Sequence, residues 1–187
     1  MSGSLKRAFG LWVASQVAGL HVYADDLANA EDKYPACTVT ELEYSLSRVG
    51  CGKRDFQVRD EDTGYVTESG KVLRAETTYR LTVKAPSNED GNGQEQVDTV
   101  VEQLAVAVMV VGLERGQFVL EDTGTDPVTS FPVERISVEG RQAVPADVSG
   151  EPFLYRGALT VTLARLVPLA IPVEHVMERI HVEAEGG

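Results

Sequence analysis

The chain has 187 residues, is 43 % hydrophobic and carries a net charge of −12 with a pI near 4.7. That length and apolar content suit one packed domain spanning the whole chain. The acidic balance works against a nucleic-acid grip, which needs clustered Lys and Arg to displace counterions, but suits a passage through which a polyanion slides without sticking.

In MSGSLKRAFGLWVASQVAGLHVYADD, Lys6 and Arg7 precede an apolar stretch, the charge order of a secretory signal. Ser15 and Gln16 interrupt that stretch, and Leu5, Phe9, Trp12, Val13, Val17 and Leu20 fall on one helical stripe. The segment therefore reads as a docked amphipathic helix over about 4–20, with Ser4 as its N-cap and a stop near Gly19. ADDLANAEDKYP follows as an acidic connector.

A strand is predicted over 38–48, where Leu42, Tyr44 and Leu46 alternate with Glu41, Glu43 and Ser45. Cys37 and Cys51 flank this stretch. At about 3.3 Å per residue the extended chain between them spans ~45 Å, whereas a disulfide wants Cα atoms within ~7 Å. Free thiols in a reducing compartment are the leading reading, and a bridge from Cys37 to Cys51 of a neighbouring copy is the alternative.

RDFQVRD and YVTESGKVL, separated by the turn residues Asp62-Thr63-Gly64, form an expected long hairpin over about 54–73, projecting from the body. TTYRLTVK (77–84) alternates cleanly, with Tyr79, Leu81 and Val83 on one face. A glycine-rich loop leads into a helix predicted over about 94–112, where Val97, Val100, Val101, Leu104, Val108 and Val111 recur at helical spacing. Its second half is apolar all round, which predicts burial between layers. The longest unbroken apolar run, LAVAVMVV (104–111), is far short of the ~20 residues a bilayer span needs, so no membrane segment is expected.

The last third returns to strands: QFVLED (117–122), ERISVE (134–139), PFLYRGALTVTLARLVP (152–168) and ERIHVEAE within a C-terminal extension over about 172–187. Pro127, Pro132, Pro145, Pro152, Pro168 and Pro172 are expected to punctuate the intervals. ERISVE and ERIHVE read as two strands built to one rule, with aliphatic Ile and Val inward and charge outward, and the match does not extend beyond them. The order of elements predicts an α+β fold around a mainly antiparallel sheet.

Little in the chain has the spacing that chemistry requires. His175, Glu178 and His181, with Glu174, suggest zinc or nickel. On a strand, however, the two histidines lie about 20 Å apart, and on a helix spacings of three and six drift around the surface. The acidic turns EDTG (61–64) and LEDTGTD (120–126) lack calcium-loop spacing. No phosphate loop, nucleophile elbow, dinucleotide fingerprint or zinc-protease helix is present. No catalytic, cofactor or metal residue is assigned, and no enzyme activity is expected.

The order AFGLWVASQVAGLHVY, YPACTVTELEYSL, AETTYRLTVKAPS, VDTVVEQLAVAVMVV and then ERISVEGRQAVPADVSGEPFLYRGALTVTLARLVPLAIP resembles the tail terminator and related neck (head–tail connector) proteins of tailed bacteriophages. The resemblance implies a virion protein of the tail–neck junction, assembled in the host cytoplasm as a hexameric ring. Such a ring caps the tail tube, joins it to the neck and lets DNA pass transiently. Arg59, Glu61, Asp62 and Tyr65 at the hairpin tip, with the C-terminal segment, are the expected contacts between chains. Another connector or tube-associated role, and an interaction module outside viruses, are the competing readings.

Overall fold

A computed structural model describes residues 4–23, 33–49, 55–59, 66–87, 93–113, 118–147 and 153–172. In chain order the elements are α1 (Leu5–Gln16), β1 (His21–Tyr23), β2 (Ala36–Arg48), β3 (Asp55–Arg59), β4 (Val66–Pro86), α2 (Gly93–Leu113), β5 (Phe118–Asp122), β6 (Thr129–Val133), β7 (Arg135–Asp147) and β8 (Leu154–Pro172). One sheet has the order β1-β2-β4-β8-β7, with β3 also on β4, and a second sheet is the β5-β6 pair. The β3–β4, β5–β6 and β7–β8 pairs are antiparallel and β1–β2 is parallel. The fold is α+β, as expected.

The chain forms two compact units, one made of Met1–Ser45 and Glu76–Arg165, the other of Leu46–Ala75 and Leu166–Gly187. In the first unit both helices lie on one face of the sheet. Ser4 caps α1, its Oγ accepting from the Arg7 N–H at 3.4 Å, and Gly19 at φ 77° allows the chain to turn out of the helix. Phe9 and Val13 are buried from α1, and the Phe9 ring lies 5.2 Å from Tyr79 of β4. Tyr79, Leu81 and Val83 point into this core with Leu159, Val161 and Leu163 of β8 and Ile136 of β7. The alternation read from TTYRLTVK and ERISVE is therefore the alternation of the fold.

Helix α2 rests on this layer through Val97, Val100, Val101, Leu104 and Val108. Close approach is set by glycine: a Cβ on Gly157 would come within 2.8 Å of Val97 Cγ1 and 3.2 Å of Val101 Cγ2. Beside this, β5 docks on α1. Trp12 meets the Phe118 ring edge-on at 5.4 Å. Asp122, fully buried, accepts from the Ser4 N–H at 2.8 Å, from Arg7 Nε at 2.6 Å and from the Gly124 N–H at 3.2 Å. The Arg7 hydrogen bond holds this carboxyl below the usual range against the opposing effect of burial. The LEDTGTD turn is thus a clasp on the start of α1, with its central carboxylate already engaged.

In the second unit β3 pairs with the beginning of β4, from Asp55↔Lys71 to Arg59↔Val66, with an irregularity between Val58 and Arg59. The two strands of the expected hairpin are therefore paired. The second of them does not end near 73 but continues without a break into the 77–84 strand as β4. ERIHVE and the extension beyond Pro172 lie outside the described residues.

Candidate functional site

The expectation for the second half of α2 is overturned. Val106, Met109, Val110 and Leu113 are 48, 52, 51 and 82 % exposed. Their spacing of three, four and seven makes one continuous apolar row on the side opposite Val97, Val101, Leu104 and Val108. The physical reason is that one sheet layer covers only one side of a helix, and among the described residues no second layer is packed on the other. By length and mean hydropathy (21 residues, 1.5) α2 also passes as a candidate membrane span, contrary to the reading from the unbroken run alone. Its buried stripe, however, seats it on the sheet as a core helix does.

At the N-terminal end of this row lies a shallow groove of about 440 Å³, lined by Gln16 at the end of α1, by Val17 and Ala18 just after it, and by Glu102, Gln103, Val106 and Ala107 of α2. Its floor is apolar and its charge is a single carboxylate. It offers cover for an apolar side chain and holds no reacting group.

The second exposed feature is β2. Ala36–Val39 are buried, and from Glu41 to Arg48 every side chain is exposed. Leu42 and Tyr44 are each about half exposed, although their alternation reads as a strand with one face in the core. Only Ala36–Thr38 have a described neighbour on the outer side, the three residues of β1. Beyond Thr38 the strand presents an unpaired edge among the described residues.

A polar trough of about 310 Å³ lies on the sheet among Glu43, Ser45, Glu76, Thr78, Arg135, Glu139 and Thr162. Arg135 Nη2 donates to Glu76 Oε1 at 3.1 Å, and the Thr78 and Thr162 hydroxyls meet at 3.0 Å. Among the residues lining the trough there is neither histidine nor thiol. Three carboxylates around one guanidinium make a solvated electrostatic network.

Of the candidate site residues singled out in the sequence, Arg59 and Cys37 lie within the described residues. Arg59 ends β3 opposite Val66, and Glu61, Asp62, Tyr65 and Cys51 lie outside the described residues, as do Glu174, His175, Glu178 and His181. Cys37 is wholly buried in the core, and burial pushes its thiol up to about 12. Among the described residues no group of three or more His, Cys, Asp or Glu side chains is placed to hold a metal.

The α2 row was missed because an all-apolar half-helix reads as buried. No protein-family model matches the chain and no curated protein matches it, so the functional reading rests on these surfaces.

Proposed function

We propose that this chain is a structural virion component of the tail-terminator type: copies form a hexameric ring that caps a phage tail tube, joins it to the neck and lets DNA pass. The observation that carries the assembly half of this reading is the exposed apolar row of α2. Surface patches of this kind on a stable core mark interaction sites. The free edge of β2 supports the same half. The viral half rests on the resemblance in element order, and the net charge of −12 fits a channel wall that repels phosphates. The pairing of β3 with β4 is compatible with a hairpin that contacts a neighbouring subunit or the tube through Arg59 and through Glu61, Asp62 and Tyr65, the last three outside the described residues.

The test is direct. Light scattering and negative-stain microscopy of the purified chain, alone and mixed with purified tail tubes, should show closed rings and rings seated at one tube end. A monomer at all concentrations that leaves tubes bare overturns the proposal. Rings that ignore tubes retain assembly and remove the terminator role.

A further inference from the structure

We infer that the subunit contact sets the apolar row of α2 in one copy on Leu42 and Tyr44 of β2 in the next, a reading that deepens the proposed ring and rests on it. Among the described residues of the first unit, two elements expose more than one large apolar side chain. They are α2, through its row, and β2, through Leu42 and Tyr44, 45 and 50 % exposed. Leu11, Val119 and Val128 stand singly, which is ordinary for a protein surface. The two β2 side chains point to the side of the sheet that carries the helices. Glu43, between them, lines the polar trough with Thr78 and Thr162, whose strand neighbours Tyr79, Val161 and Leu163 lie in the core under the helices. Successive side chains of a strand alternate, so Leu42 and Tyr44 face the way Tyr79 does. They offer a patch of the kind of surface on which helices of this fold already pack.

Position rules out the same contact within one copy. The C-terminal half of α2 lies over β7, so close that a Cβ on Gly112 would come within 2.7 Å of the Ile136 carbonyl oxygen. In the sheet order β4 and β8 stand between β7 and β2, which at ~4.8 Å per strand sets the two surfaces about 14 Å apart. The row also points away from its own sheet. One copy therefore carries a helix surface and a strand surface toward opposite ends of one side of the sheet, and a head-to-tail contact, the kind that closes into rings, uses both. A two-fold contact of row on row would leave Leu42 and Tyr44 exposed. The dimensions agree: one turn of the row, Val106 to Val110, rises about 6 Å, and Leu42 and Tyr44 stand about 6.6 Å apart along the strand. The contact buries no carboxylate, because residues 103–113 carry no charge and Glu43 is on the other face of β2. Tyr44 fits the groove beside Val106, whose floor takes the ring while the Gln16 and Gln103 amides serve its hydroxyl; Leu42 then falls on Val110. Six side chains of this kind supply on the order of half the ~1,200 Å² at which specific interfaces begin, so a lone pair of copies holds weakly and closure, which gives every copy two contacts, stabilises the assembly.

The experiment uses the full-length chain in a Cys51→Ser background, where the remaining thiol, Cys37, is buried. Leu42→Cys and Val110→Cys are made separately, both at exposed positions, and treated with a short bismaleimide. Mixed one to one and assembled, they should give a cross-linked dimer that neither gives alone. A dimer from Val110→Cys alone sets row against row and overturns the inference, as does an assembled mixture without the mixed cross-link. In Leu42→Gln/Tyr44→Gln the thermal melt should match wild type, while the concentration needed for association in sedimentation velocity rises about tenfold. Association of that variant at wild-type concentrations means that something other than β2 covers α2, and refutes the contact while leaving a ring possible. A wild-type chain that stays monomeric instead removes the ring itself. Should a variant fail to fold, hydroxyl-radical footprinting of wild type decides: Tyr44 and Met109 must both lose reactivity on association, and unchanged reactivity of either refutes the contact.

Discussion

Replacing Met109 and Leu113 together by Gln should weaken self-association about a hundredfold and leave the isolated fold intact. Burying a Met or Leu side chain fully is worth about 1.5–3 kcal/mol. In the free chain Met109 is still 52 % and Leu113 82 % exposed. The gain left for an interface is therefore about 1 kcal/mol at the first and about 2 kcal/mol at the second, or ~3 kcal/mol per contact. At about 1.4 kcal/mol per decade that is two orders of magnitude in dissociation constant. Substitution at positions this exposed should shift monomer stability by less than ~0.5 kcal/mol. Leu104→Ala, on the opposite side of the same helix and fully buried, should behave the other way, losing about 2–5 kcal/mol of folding stability. Sedimentation velocity across a concentration series reads the first quantity and urea unfolding the second. Unchanged association of the double variant, or its unfolding, would show that the α2 row is not a contact surface.

Three further outcomes follow from the core. Gly157→Ala should lose about 1–3 kcal/mol by overpacking against Val97 and Val101, and Val97→Ala in the same chain should recover part of it. Additive losses in urea unfolding would count against that contact. For Asp122 the folded carboxyl titrates below its ordinary 3.8, so its stabilisation is present above that pH and disappears as pH falls through the lower folded value. Wild type should therefore exceed Asp122→Asn in melting temperature at pH 6, and the gap should close on acidification below about pH 4; a gap independent of pH contradicts the clasp. In a Cys51→Ser background the remaining thiol, Cys37, should resist a disulfide reagent in the native state and react once the chain is unfolded in urea. Rapid native labelling would contradict its burial.

Where the pattern in the chain was strong, it coincided with one dominant interaction. The stripe Leu5, Phe9, Trp12, Val13 is the docked side of α1, and Tyr79, Leu81, Val83 is the inner side of β4, because each faces a single apolar layer. Prolines misled in the last third. Pro132 lies inside β6, Pro145 inside β7 and Pro168 inside β8, although each reads as a break. Each is tolerated for a local reason. β6 belongs to a two-stranded sheet and has an open side, Pro145 falls in a register shift between Val144 and Asp147, and Pro168 lies past Ala164, where β7 no longer pairs with β8. β1 escaped notice because three residues carry no periodicity. Neither the exposed row on α2 nor the edge of β2 left unpaired among the described residues is encoded locally, since both depend on which elements pack around them.

The clasp between Asp122 and the start of α1 has a consequence for biosynthesis. Its acceptor lies 118 positions downstream of Ser4, so the first helix leaves the ribosome long before the group that completes its capping exists. Until then Trp12 lacks Phe118 as well, and the nascent amino-terminal segment must wait as a sticky, half-finished surface. Closure over so long a loop is slow, and holding chaperones during translation should raise the yield of soluble chain more than any adjustment of buffer afterwards.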